Sequence, residues 1–121
     1  MKIGPLGESV ACRFLREHGY IILERTYLKP WGEIDIVAEK KGVIHFYEVK
    51  TVSRELGGGE GIDPSENLHE EKVKRVMRAV NSYLTDRRVP ARTKWQLDAA
   101  LLVLDVQKKA AKIEILENIG L

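Results

Sequence analysis

Two short segments of this chain carry the side chains best suited to chemistry. GEIDIVA, from Gly32, holds Glu33 and Asp35; FYEVK, from Phe46, holds Glu48 and Lys50. Both are rich in β-formers, and Lys41-Gly42 between them reads as a tight hairpin turn. With that turn Lys40 opposes Val43, Asp35 falls opposite Glu48, and Glu33 falls opposite Lys50. Opposed residues of an antiparallel ladder share a face with Cβ atoms about 4.5–5.5 Å apart, and residues two apart on one strand share it too. The four ionisable groups therefore converge, and Ile34, Ile36, Tyr47 and Val49 are expected on the other face. Two carboxylates at about 5 Å repel by about 3 kcal/mol at an effective dielectric near 20. A shared proton, the Lys50 ammonium or a divalent cation would each relieve that repulsion. Oxygen-only donors suit Mg²⁺ or Mn²⁺, and the Val49 backbone carbonyl is a further candidate ligand. Lys50 would then orient or deprotonate an attacking water and offset developing charge. The plainer reading of the same spacing is an exposed hairpin face with a Glu33–Lys50 salt bridge, which contributes little.

The elements that must position these groups follow from periodicity. Residues from about Pro5 to His18 have helical spacing, with Leu6, Val10, Ala11, Phe14 and Leu15 apolar and Gly19 as a stop. On that helix Glu8 falls between Cys12 and Leu15, at the edge of the apolar arc. An acid turned inward needs a partner; the alternative is an acid that marks the border of the stripe or the first helical turn. YIILERTYL is a first strand, broken by Pro30-Trp31-Gly32, and the hairpin supplies strands over about Glu33 to Glu39 and Val43 to Val52. Residues from about 53 to 66, with Gly57, Gly58, Gly59 and Gly61, read as a mobile loop, either a binding loop or a surface excursion. Asn67 and Glu70 resemble a capping box. It opens a helix to about Arg87 whose inner stripe is Val73, Val76, Met77, Val80 and Leu84. WQLDAALLVLDV reads as a strand buried on both faces, with Asp98 as a structural partner for a basic side chain, and AKIEILENI alternates as a last strand. The order is α-β-β-β-α-β-β, an α/β domain with a central mixed five-stranded sheet flanked by helices.

Composition narrows the class. The 121 residues fit one domain, spanning 1–121, with 20 basic against 18 acidic residues. The lone Cys12 excludes an intramolecular disulfide and a cysteine-based zinc site, and reads as a small buried hydrophobe. No apolar run nears the ~20 residues of a membrane span, and the N-terminus lacks a signal-peptide pattern. The expectation is a cytoplasmic protein with no membrane partner. Basic charge is concentrated on the second helix, where Lys72, Lys74, Arg75 and Arg78 flank the apolar stripe. Such a cluster suits phosphate contacts, or is a solvated face with Glu70 and Glu71 as partners. Lys72, beside the stripe, is best placed to reach a central site. Trp31 is a candidate for stacking on a base or for packing where the acidic strand begins.

GEIDIVA followed by FYEVK resembles the PD-(D/E)xK nucleases, the restriction-endonuclease-like superfamily. Within it the chain is most similar to the small bacterial YraN-type proteins, related to archaeal Holliday-junction resolvases. The likeness spans nearly the whole chain: GESVA in the first helix, both hairpin motifs, Lys72, and Asp98 in a late strand. It implies a single restriction-endonuclease-like domain, with Asp35, Glu48, the Val49 carbonyl and Glu8 as ligands of Mg²⁺ or Mn²⁺. Glu8, Asp35, Glu48 and Lys50 would form the catalytic set. Arg25, Lys72, Arg75 and Arg78 would contact nucleic acid. The implied activity is hydrolysis of DNA phosphodiester bonds, with branched or junction DNA among the candidate substrates and a homodimer expected. The alternative is a non-catalytic nucleic-acid-binding module or repair-complex scaffold that keeps the fold. The chain departs from the YraN-type pattern at Val52, where arginine is usual, and at Thr26, where asparagine often follows the arginine.

Overall fold

A computed structural model describes residues 3–54 and 70–119. The expected glycine-rich loop and the Asn67 cap lie outside the described residues. The elements are α1 (Ile3–Glu17), β1 (Ile21–Lys29), β2 (Gly32–Lys40), β3 (Val43–Ser53), α2 (Glu70–Asp86), β4 (Lys94–Asp105) and β5 (Ala110–Leu116). This is the α-β-β-β-α-β-β order read from the sequence. The strands form one five-stranded sheet in the order β1-β2-β3-β4-β5. Neighbours run antiparallel except β3 and β4, which are parallel. Parallel neighbours need a crossover, and α2 lies within it. Among the described residues no helix is long and apolar enough to cross a membrane.

The two helices cover opposite faces. On one, Ala11, Cys12 and Leu15 of α1 pack on Ile36, Tyr47 and Leu102. On the other, Val76, Ala79, Val80 and Tyr83 of α2 pack on Val37, Phe46 and Leu97. Of the stripe expected on α2, Val73, Met77 and Leu84 are only partly buried, while Ala79 and Tyr83 join the buried centre. Aromatic packing explains the shift: the Tyr83 ring meets Tyr27 and Phe46 edge-on, with centroids 5.3 and 5.4 Å away. Two glycines allow the layers to close. A Cβ on Gly7 would sit 1.8 Å from Thr51 Oγ1, and one on Gly32 would sit 2.2 Å from the Arg75 carbonyl oxygen. The first brings α1 onto β3, and the second brings α2 onto the start of β2.

The β2–β3 hairpin has the expected register, with Lys40 opposite Val43 and Ile36 opposite Tyr47. Its turn residues have φ of 51° at Lys41 and 80° at Gly42, as a two-residue type I′ turn requires. β4 is buried from Leu97 to Asp105, as its apolar run implied. Asp98, fully buried, accepts hydrogen bonds from Gln96 Nε2 and the Asn118 backbone N–H, and its Oδ2 lies 2.8 Å from His45 Nδ1. The acid is thus a structural partner of a basic side chain, and the contacts tie β3, β4 and the chain after β5 together.

One expectation fails. Ile34 does not share a face with Ile36: it packs in the α2 cluster, whereas Ile36 packs in the α1 cluster. The same break occurs on β1, where Arg25 lies near Glu8 and Ser9 of α1 but Tyr27 belongs to the α2 cluster. Strict alternation would keep each such pair on one face. Between them Thr26 has a φ of 53°. A left-handed residue reverses the face on which the strand continues, and β2 makes the matching reversal at Asp35. For a β-branched residue that conformation costs about 1–3 kcal/mol. Asparagine tolerates it better. Thr26→Asn is expected to stabilise the fold by about 1 kcal/mol, read as a higher urea midpoint with an unchanged slope.

Candidate functional site

The face reversal builds the site. The β2–β3 ladder runs from the turn only as far as Ile36↔Tyr47. Beyond it the Asp35 side chain takes the place of backbone, and the Val49 N–H donates to Asp35 Oδ2 at 2.7 Å. The N–H and C=O of one strand residue point to the same side, so the Val49 carbonyl faces this gap as well. α1 supplies Glu8 from its own face of the sheet, held close by the Gly7 contact. Carboxylate oxygens of Glu8, Glu33 and Asp35 all lie within 4.8 Å of one another. Glu8 is also 4.0 Å from Arg25 Nη2, which donates to Ser9 Oγ at 3.4 Å.

Glu48 stands on the α2 side with its carboxylate 2.6 Å from Lys72 Nζ. Together Glu33, Asp35, Glu48, Lys72, Arg75 and Arg78 line a cavity of about 640 Å³, with Trp31 at its rim. The Trp31 indole N–H donates to Ser82 Oγ at 2.9 Å, and 47% of the residue is exposed. Lys50, half-buried, follows Glu48 on the same strand face and makes no salt bridge with any described residue. No Glu33–Lys50 salt bridge forms between these described residues, so the plain hairpin-face reading lacks its central contact.

Burial dominates the electrostatics at Asp35. Desolvation, then the Glu48 charge, push its carboxyl up to about 8, against the Val49 N–H, which favours the ionised form; Glu8 and Glu33 raise it further. Of the three ways to relieve crowded carboxylates, a retained proton is therefore available without any ion. The group of Glu8, Glu33 and Asp35 also fits a hard divalent cation: every side-chain donor is a carboxylate oxygen, these oxygens are close enough to converge on one ion, and a backbone carbonyl faces the same gap; Glu48, expected as a ligand, is not in that group and pairs with Lys72 instead. Cys12, expected to be buried, is 1% exposed, and burial raises its thiol pKa.

The structure thus draws Glu8, Asp35 and the Val49 backbone together, and sets Glu48, Lys72, Arg75 and Arg78 around the same cleft. Arg25 lies on the α1 side of the acids, away from the cleft wall formed by α2. The ligand set expected from the sequence, Asp35, Glu48, Glu8 and the Val49 carbonyl, did not include Glu33, which the hairpin register set opposite Lys50. Its signal was present as the nearest acid on the same strand as Asp35.

The chain matches the uncharacterised protein family UPF0102 over residues 7–106. It is 37% identical to a UPF0102 protein of Helicobacter hepaticus, covering 98% of this chain and 94% of that one. It is 32% identical to a UPF0102 protein of Wolinella succinogenes, covering 98% and 95%. Among solved structures, an XisH family protein from Nostoc punctiforme aligns with a TM-score of 0.37 and 14% identity, over 91% of this chain and 98% of that one.

A carboxyl raised to about 8 binds a proton in the folded protein that the unfolded chain, titrating near 4, has lost. Its contribution to stability is therefore fully present below about pH 4 and is lost progressively as pH rises from there through 8. In metal-free buffer, Asp35→Asn is expected to melt close to wild type at pH 4 and at least about 4 °C higher at pH 9. Mn²⁺ at pH 9 should close that gap by stabilising wild type alone. Thermal denaturation across this pH range checks both.

Proposed function

The chain belongs to the uncharacterised protein family UPF0102, and from its cleft we propose a metal-dependent nuclease that hydrolyses DNA phosphodiester bonds, with branched DNA among its candidate substrates. One observation carries the reading: the carboxylate oxygens of Glu8, Glu33 and Asp35 lie within 4.8 Å of one another, and two of these acids, Glu33 and Asp35, line a cavity walled by Lys72, Arg75 and Arg78. Crowded acids beside a cationic wall suit a polyanion better than a neutral ligand, since the acids alone would repel phosphate. Asp35, Glu48, Glu8 and the Val49 carbonyl would hold Mg²⁺ or Mn²⁺, with Glu33 an added donor. When bound, the cation supplies a Lewis acid that offsets charge on the phosphoryl oxygens.

The chain's own groups perform the remaining work. Arg75 and Arg78 hold the DNA backbone, and Lys72 moves from Glu48 to a phosphate. Lys50, on the same strand face as Glu48, orients the attacking water. Asp35 surrenders its proton as the site fills, because a protonated carboxyl is a poor ligand.

The Lys72–Glu48 contact of 2.6 Å also favours a second reading, a nucleic-acid-binding module whose cleft is closed by its own ion pair. Incubation with Mg²⁺ or Mn²⁺ and linear, flapped and four-way-junction DNA separates the two. The nuclease reading expects cleavage that falls by more than about 100-fold in Asp35→Ala and Glu48→Ala, while salt-sensitive DNA binding persists. Binding without cleavage in either metal refutes it in favour of the module.

A further inference from the structure

We propose that β5 is the interface through which two copies of this chain join their sheets into one. β5 is an edge strand: among the described residues it pairs with β4 alone. Its sequence, AAKIEIL, is built for pairing with itself. In an antiparallel pair related by a two-fold axis perpendicular to the sheet, opposed residues must point to the same face, so the axis passes through a residue. Centred on Ile113, the pair sets Lys112 opposite the partner's Glu114 twice over, with Ala111 opposite Ile115 and Ala110 opposite Leu116. Centring it one residue earlier sets Lys112 against Lys112, and one residue later sets Glu114 against Glu114. Opposite charges across a strand pair stabilise it and like charges destabilise it, so the charge pattern selects a single register.

The two faces of β5 agree with this arrangement. Ile113 and Ile115 lie half-buried against the α1-side cluster. Lys112 and Glu114 alternate with them and are exposed. Ala110 and Ala111 line an apolar cavity of about 370 Å³ with Leu6, Val10 and Val106. Leu6 and Val106 are 40% and 41% exposed, large apolar surface with no cover among the described residues. In the selected register the partner's Ile115 approaches this cavity beside Ala111. The fold already uses the same fit on the other edge of β5, where Ile115 and Leu116 oppose Ala100 and Ala99 of β4. An unpaired edge next to apolar surface is a liability for a monomer, and self-pairing removes it. Because the axis is perpendicular to the sheet, both α2 layers, and with them both acidic cavities, lie on one side of the ten-stranded sheet.

This inference does not rest on the nuclease reading, and its test measures assembly alone. Lys112 and Glu114 are exposed, so exchanging them leaves the core intact. Sedimentation from micromolar to millimolar concentration should show a reversible monomer–dimer equilibrium. Lys112→Glu and Glu114→Lys each create two like-charge pairs and should weaken the dimer about tenfold. The double variant Lys112→Glu/Glu114→Lys restores opposite charges and should return the wild-type equilibrium. A chain monomeric at every concentration overturns the proposal and leaves the edge to a different partner. A dimer indifferent to both single changes, or one weakened by them and not recovered in the double exchange, overturns it equally.

Discussion

The hydrogen bond from the Val49 N–H to Asp35 Oδ2, at 2.7 Å, is the contact on which the rest of the site depends. It replaces a rung of the β2–β3 ladder with a side chain. That substitution satisfies a backbone donor which would otherwise be left without a partner as the strands part. It also fixes a carboxyl in a buried position where no simple hairpin would hold one. Around it the sheet changes face: Arg25 and Ile36 look toward α1, Tyr27 and Ile34 toward α2. An acid from each layer can therefore meet Asp35, Glu8 from the α1 side and Glu48 from the α2 side.

The cleft balances opposing demands. Burial and neighbouring anions raise the Asp35 carboxyl, while the Val49 N–H pulls the other way. Lys72 neutralises Glu48 at 2.6 Å, so without a ligand the acids are divided between a retained proton and an ion pair. A cation and a phosphate arriving together would displace both, the cation taking the acids and the phosphate taking Lys72. On the proposed nuclease reading, this exchange would require the acids and the bases to share one cavity.

Much of this was legible in the sequence, and the reason differs by residue. Lys41-Gly42 sets the hairpin register because both positions must accept left-handed backbone, and Gly42 does so freely. The β4 run from Leu97 to Asp105 is buried because its neighbours β3 and β5, with the helices, enclose it. Lys72 could be placed because helical periodicity puts it next to the buried Val76. What could not be read was the face reversal at Thr26. A β-branched residue argues against a left-handed φ, so local propensity pointed the wrong way. Ile34 was consequently expected on the face of Ile36, which it does not share. Only tertiary context, with α1 drawn in at Gly7 and α2 at Gly32, shows why the strand accepts that strain.

On the proposed reading, Asp35 keeps its proton until a divalent cation takes the site. Calorimetric titration of the metal-free protein with Mn²⁺ at neutral pH, repeated in buffers of different ionisation enthalpy, counts the protons released per cation bound. The expected result is release approaching one proton per Mn²⁺, vanishing well above pH 8 and absent in Asp35→Asn. Absence of binding heat in every buffer, or binding with no proton released, would contradict it.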